Sequence, residues 1–197
     1  YDEGIGVEQD KEEAGKMYIE ISKKALEQSR GVEWEEDGEI EWGFDERTGR
    51  LVIKGKGPLE DYTDGSKRCQ MRDYRYLDEP PWCENYRKQI KSVIICHGVS
   101  SIGKNAFWEC DKLISVAIPK SATSIGENAF FYCKRLISIS VPSSITSIDE
   151  TAFFYCRDLT SIKIPRSVIR VKNRAFAYCF SLKIVSVPEG LEYPPNA

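Results

Sequence analysis

Ser124-Ile125-Gly126-Glu127-Asn128-Ala129-Phe130-Phe131-Tyr132-Cys133-Lys134-Arg135-Leu136-Ile137-Ser138-Ile139-Ser140-Val141-Pro142 is one unit of a pattern that fills the second half of this chain. Its Phe130 has counterparts at Phe107, Phe153 and Phe176, each 23 residues from the next. Ala106, Ala129, Ala152 and Ala175 keep the same period, as do Cys110, Cys133, Cys156 and Cys179. Leu113, Leu136, Leu159 and Leu182 follow, with the pairs Ile118-Pro119, Val141-Pro142, Ile164-Pro165 and Val187-Pro188. Ile102, Ile125, Ile148 and Val171 complete the set. Positions of six kinds repeating in phase mark an array of like units.

Each unit has two parts. The first, typified by Leu136 to Val141, alternates and reads as a short strand that Pro142 ends, because proline has no N–H to give a ladder. The second, Ile148 to Cys156, reads as a turn followed by a short helical or 3₁₀ segment, its Ala and Phe facing inward. A unit this small cannot bury its own apolar side. Stacking the units about 4.8 Å apart does so, each Phe resting on the next. Burial of one such ring is worth about 1.5–3 kcal/mol.

The run Ser-Ile-Gly-x-x-Ala-Phe-x-x-Cys-x-x-Leu-x-Ser-Ile-x-Ile-Pro resembles the BspA-type leucine-rich repeat, common in bacterial and protist surface proteins. The resemblance implies an α+β repeat fold: a right-handed leucine-rich-repeat solenoid over residues 90–197, about four and a half units, with a parallel sheet on one side. It is expected to carry an N-terminal helix and a β-hairpin cap. Asp149 and Lys172 stand where earlier units have Gly103 and Gly126, so that turn accepts a side chain. The array is expected to stop after Pro188, since Tyr193-Pro194-Pro195 falls where another Ser-Ile-Gly was due.

Residues 31–89 read as a cap. Glu39 to Phe44 alternates, Asp45-Glu46-Arg47-Thr48-Gly49 is a turn, and Arg50 to Gly55 returns. This stretch resembles the leader found before such repeats in some bacterial proteins, carried here by Trp42, Gly49 to Gly57, Asp61-Tyr62 and Pro81-Trp82. Thr63 to Glu79 is a charged loop. In residues 1–30, Tyr1, Gly4, Gly6, Val7, Asp10, Ala14 and Tyr18 resemble the end of a Sel-like helical repeat, a tetratricopeptide relative. Only half a unit is present, which implies further helical repeats upstream. Asp10 is a plausible N-cap, and Ala14, Met17, Tyr18, Ile21 and Ala25 share one helical face. The acidic start, Tyr1-Asp2-Glu3, is no signal peptide.

The 197 residues hold 28 Lys and Arg against 31 Asp and Glu, a net charge of −3 that gives no reason to expect a nucleic acid. No apolar run approaches the roughly 20 residues of a membrane helix. The Cys110, Cys133, Cys156 and Cys179 spacing is unlike that of a zinc site and reads as a ladder of reduced, buried thiols. Cys69 and Cys83 stand outside the ladder and are candidates for a bridge across the charged loop. His97 is the only histidine, and no motif couples it to a nucleophile. Neither a catalytic constellation, a metal site nor a cofactor is expected.

Two surfaces are candidates for binding. The outward rows of the strand face are Ser115, Ser138, Ser161, Ile184 and Ala117, Ser140, Lys163, Ser186. These mostly small, polar residues suit an extended protein or a glycan, though serines there also simply solvate a sheet. The second is an aromatic stripe, Trp108, Phe131 and Phe154 with Tyr132, Tyr155 and Tyr178. Stacked aromatics at equal spacing usually pack; part exposure would make them an interaction stripe. The reading is a non-enzymatic scaffold for a protein partner of unknown identity, at the cell surface or secreted. The alternatives are a structural spacer of a larger protein, and a cytoplasmic setting, which numerous reduced cysteines fit better.

Overall fold

The alternating segments of the units become strands of one sheet. In the computed structural model, which describes residues 32–62 and 79–186 with Lys24, Glu27 and Leu191, every repeat contributes a three-residue strand: β7 (Ser115–Ala117), β9 (Ser138–Ser140), β11 (Ser161–Lys163) and β13 (Ile184–Ser186). They pair in parallel with Ser115 opposite Ser138, Ser138 opposite Ser161 and Ser161 opposite Ile184, so the register equals the repeat. β5 (Ser92–Ile95) precedes them, with Ser92 opposite Ser115. Ser-Ile of each unit makes a second side, where β8 (Ser124–Ile125), β10 (Ser147–Ile148) and β12 (Arg170–Val171) form a small parallel sheet. Each unit is thus one coil, and the coils stack.

The third side differs from the expectation. The Ala-Phe segment is neither helical nor 3₁₀. Two non-glycine residues per coil are left-handed: Asn105 and Glu109, Asn128 and Tyr132, Thr151 and Tyr155, Arg174 and Tyr178. They let the backbone N–H groups alternate in destination. Ala106, Trp108 and Cys110 donate within the coil, to Gly103, Asn105 and Phe107. Asn105, Phe107 and Glu109 donate to Glu127, Ala129 and Phe131 of the next coil, at 2.8–3.0 Å. A continuous 3₁₀ turn would spend every N–H inside the coil and leave none to hold the neighbour. The left-handed conformation costs about 1–2 kcal/mol per residue, and this second ladder offsets it.

Inside, Phe107, Phe130 and Phe153 are fully buried. Their rings stack on one another and on Phe176 with centroids 5.2–5.3 Å apart and planes within 14°. The cysteines line up beside them as free thiols, Cys110, Cys133 and Cys156 buried and Cys179 half-buried. Cys133 Sγ–H donates to the Phe107 carbonyl at 3.2 Å, Cys156 to Phe130 and Cys179 to Phe153. Each thiol therefore fills space as a small hydrophobe and gives the preceding Phe carbonyl a second donor. Burial pushes the Cys133 and Cys156 thiols well above the ordinary range.

The leader covers the open end of the column. β1 (Trp34–Asp37), β2 (Ile40–Asp45) and β3 (Arg50–Gly55) form an antiparallel meander. β3 then pairs in parallel with β5, so hairpin and coils share one eight-stranded sheet. β4 (Gly57–Pro58) pairs with β6 (Val99–Ser101) and carries the chain across the second side. A Cβ on Gly103 would lie only 1.9 Å from the Glu60 carbonyl oxygen, so glycine is required where the leader crosses. Two coils on, Asp149 bonds Lys172 at 3.0 Å in the same register.

The short helix α1 (Pro81–Tyr86) starts on a proline at its first position, whose φ is already helical. It brings Trp82 onto Phe107, centroids 5.8 Å apart, and Trp82 Nε1–H donates to the Ala106 carbonyl at 3.0 Å. Trp42 and Tyr62 pack edge-on against Trp82. Tyr62 donates to Asp37 at 2.8 Å. The buried Asn105 side chain donates to the Tyr62 carbonyl. The Sel-like segment and N-terminal helix, the charged loop after Tyr62, Cys69 with its candidate bridge, and the array's end lie outside the described residues. Cys83 is buried against the core.

Truncating the capping ring should be as damaging as emptying the core. Trp82→Ala is expected to cost about 3–5 kcal/mol in denaturant unfolding, and Trp82→Phe about 1 kcal/mol, for its lost hydrogen bond. A loss below about 1 kcal/mol for the alanine variant would count against the capping role. Iodoacetamide at pH 8 is expected to spare Cys133 and Cys156 in the folded chain and modify both after denaturation, as read by peptide mass mapping. Because folding raises these thiol pKa values, their contribution holds below about pH 8.5 and fades as pH climbs above it.

Candidate functional site

The two candidate surfaces lie on different sides of the coil. On the sheet, Val116, Ile139 and Ile162 point inward and are nearly inaccessible. Their neighbours alternate outward: Ser115, Ser138, Ser161, Ser140 and Lys163 are exposed and Ala117 is half-buried. Backbone register puts Ile184 beside Ser161 and Ser186 beside Lys163. The rows sit together in register, on a surface of mostly short side chains.

The stripe flanks the left-handed segment. Trp108, Phe131 and Phe154 follow the buried Phe of their coils, and all three are half-buried. They form one column, with centroids 6.5 Å apart between Trp108 and Phe131 and 5.0 Å between Phe131 and Phe154. Tyr132 and Tyr155 form a second column beside it, 4.5 Å apart and within 12° of parallel. These tyrosines are left-handed residues. That conformation turns their side chains out of the core while the alternating ladder keeps them in step.

The last described coil breaks the order. Ala177 stands where a ring would continue the first column. Tyr178 fills part of that gap by turning edge-on to Phe154, 5.0 Å away at 68°. Phe180, where earlier coils have Lys134 and Arg157, leans on Tyr155 and Tyr178 at 6.0 Å. Tyr178 is 55% exposed and Phe180 67%. Phe180 is a stripe residue that the sequence reading missed. It breaks the periodic pattern at its own position, and that break was the available signal.

Cations border the rings. Arg87 lies 5.1 Å over Trp108, Lys134 5.4 Å from Tyr132, and Arg157 5.6 Å from Tyr155. Arg87 is bonded to Glu79 at 2.8 Å and Lys88 to Asp111 at 3.2 Å, so the N-terminal part of the stripe has its charges matched. Two shallow clefts accompany these surfaces. One, about 350 Å³, lies over Gly103 and Gly126 beside the crossing leader. The other, about 400 Å³, lies at the C-terminal end of the stripe between Lys134, Arg135, Arg157, Asp158, Phe180 and Ser181.

His97 is exposed in the turn after β5. Among the described residues, no three His, Cys, Asp or Glu side chains gather as metal ligands, and no helix is long and apolar enough to cross a membrane.

Comparison with known proteins agrees with this geometry. The BspA type leucine rich repeat region matches residues 84–196 in six copies. Among solved structures, a leucine-rich repeat protein from Eubacterium ventriosum superposes with a TM-score of 0.54 at 23% identity, covering 81% of this chain and 43% of that one. The Treponema pallidum leucine rich repeat protein gives 0.53 at 22%, covering 79% and 72%. One from Bacteroides ovatus gives 0.52 at 27%, covering 78% and 41%. This chain thus spans less than half the length of two of them. No curated protein matches it by sequence. With more than half of its residues in the matched region, the chain belongs to the BspA-type leucine-rich-repeat family.

Proposed function

We propose that this chain is a non-enzymatic interaction module that holds a protein partner against the lateral aromatic stripe. One observation carries the reading: the stripe is stacked yet half-exposed, and most open at its last two rings. Rings fixed by their neighbours lose little rotamer freedom when a partner covers them, which lowers the entropic cost of binding. Aromatic and arginine side chains are also the types interfaces favour. Leucine-rich-repeat chains generally serve as protein-interaction scaffolds, and BspA-type chains typically act at the bacterial surface or outside the cell; both support this reading by analogy. The serine-lined sheet face is the second candidate, and a glycan or extended peptide would suit it. A spacer with no ligand of its own is the competing reading, favoured by the close ring contacts within the stripe, which also serve packing.

Affinity capture against surface and host protein fractions separates these readings. It compares the wild-type chain with a Tyr132→Ser/Tyr155→Ser chain and a Ser138→Glu/Ser161→Glu chain, each first shown to melt cooperatively. A partner retained by wild type and the sheet variant, and lost by the stripe variant, is the expected result. Loss in the sheet variant alone would move the site to the sheet. A wild-type chain that captures nothing would favour the spacer.

A further inference from the structure

The turn after each ladder cysteine changes character along the stack. In the first coil it is Cys110-Asp111-Lys112, and Asp111 is held by Lys88. In the next two it is Cys133-Lys134-Arg135 and Cys156-Arg157-Asp158, and in the last Cys179-Phe180-Ser181. Ser181 N–H donates to the Arg157 carbonyl and Asp158 N–H to the Lys134 carbonyl, so these turns are themselves stacked in register. They bring Lys134, Arg135 and Arg157 together in the shallow cleft of about 400 Å³, with Asp158 the one carboxylate among its lining residues. Among the described residues, no carboxylate lies within ion-pair distance of these three cations. Elsewhere the coils do pair their charges, at Lys88 and Asp111, Lys104 and Glu127, and Lys172 and Asp149.

Two of the cations, Arg157 and Lys134, are also held in place. Arg157 lies 5.6 Å from the Tyr155 centroid and 5.9 Å from that of Phe180. Lys134 lies 5.4 Å from Tyr132. A guanidinium resting on rings keeps N–H groups to offer a carboxylate, which it binds in a two-pronged fashion. Beside these cations stand the two most open rings of the stripe, Phe180 and Tyr178. The cleft thus joins unmatched positive charge to uncovered aromatic surface.

We propose that this cleft docks an extended acidic peptide segment of a protein partner, its carboxylates on Arg135, Arg157 and Lys134 and an apolar side chain over Phe180 and Tyr178. The proposal rests on the interaction-module reading and gives its site a charge class. A peptide fits better than a polyanionic glycan for two reasons. Sugar rings stack on open ring faces, and the Tyr132 and Tyr155 faces are closed to each other at 4.5 Å. The ring of Phe180, 67% exposed, calls for an apolar cover, which a peptide side chain supplies.

Fluorescence anisotropy with a short labelled peptide alternating Glu and Phe tests this, with its Gln-for-Glu counterpart and heparin as comparison probes. The chains are wild type, Arg135→Gln/Arg157→Gln, Phe180→Ser, and Lys56→Gln as an exposed control in the leader, at the other end of the stack, each checked for an unchanged melting midpoint. The Glu-Phe peptide is expected to bind wild type and Lys56→Gln alike. It should bind the double arginine variant on the order of tenfold more weakly, and Phe180→Ser several-fold more weakly. The Gln peptide should be weaker by a similar factor, and added salt should reduce the difference. Equal binding of the Glu and Gln peptides, binding indifferent to the arginine variant, or failure of the Glu-Phe peptide to bind would overturn the proposal. So would heparin binding more tightly than the peptide through the same arginines, which would mark a glycan site. Partner capture that survives Arg135→Gln/Arg157→Gln and fails with Tyr132→Ser/Tyr155→Ser would sink this inference alone and leave the module reading standing.

Discussion

A phenylalanine that its own coil cannot bury is the constraint on which this structure depends. Each coil is about as thick as one strand spacing, so the only dry place for its ring is against the ring of the next coil. Centroids 5.2–5.3 Å apart satisfy that condition from Phe107 to Phe176. Once the rings are in step, the remainder follows. Strands pair in equal register. Thiols reach the carbonyls of the preceding coil, and alternate N–H groups of the left-handed segment reach the following one. The constraint also creates an end problem, since the first ring needs a cover. Trp82 supplies it, backed by Trp42 and Tyr62.

Much of this was legible in the residues because stacking demands repetition. Phe, Ala, Cys, Leu and Ile-Pro recurring every 23 residues implied the coils, the parallel strands and the buried ladders. Glu39 to Gly55 announced its hairpin by alternation and Gly49. What escaped is what does not repeat. Trp82 and Cys83 precede Phe107 and Cys110 by more than one period, so they do not fall in phase, although they continue both ladders. The strand Trp34–Asp37 is mostly acidic and has no alternation to betray it. The union of β3 with β5 is a long-range pairing that local pattern cannot show. The Ala-Phe segment was misread as helical or 3₁₀ because apolar spacing does not report the sign of φ. Asn105 and Asn128 at the first left-handed position were the available clue, but Thr151 and Arg174 replace them later.

The surfaces divide in the same way. Periodicity located the serine rows and the aromatic columns, yet it is blind to exposure. A ring following a buried ring can lie under a neighbour or in water, and only geometry decides. Here the left-handed tyrosines turn outward, and the columns stay half-open. The end of the stripe was less legible because it departs from the pattern, with Ala177 in place of a ring and Phe180 in place of a cation. The last two described rings, Tyr178 and Phe180, are the most exposed, beside the cations that lack carboxylate partners.

The most direct test of the stacked column is a pair of double-mutant cycles. One combines Phe130→Leu with Phe153→Leu, and the other Phe107→Leu with Phe176→Leu, all read by denaturant unfolding. Rings one coil apart should couple by about 0.5–1.5 kcal/mol, and rings three coils apart should be additive within about 0.5 kcal/mol. Coupling between Phe107 and Phe176 as large as that between Phe130 and Phe153 would mean that the rings meet across a common interior, and the column would be wrong.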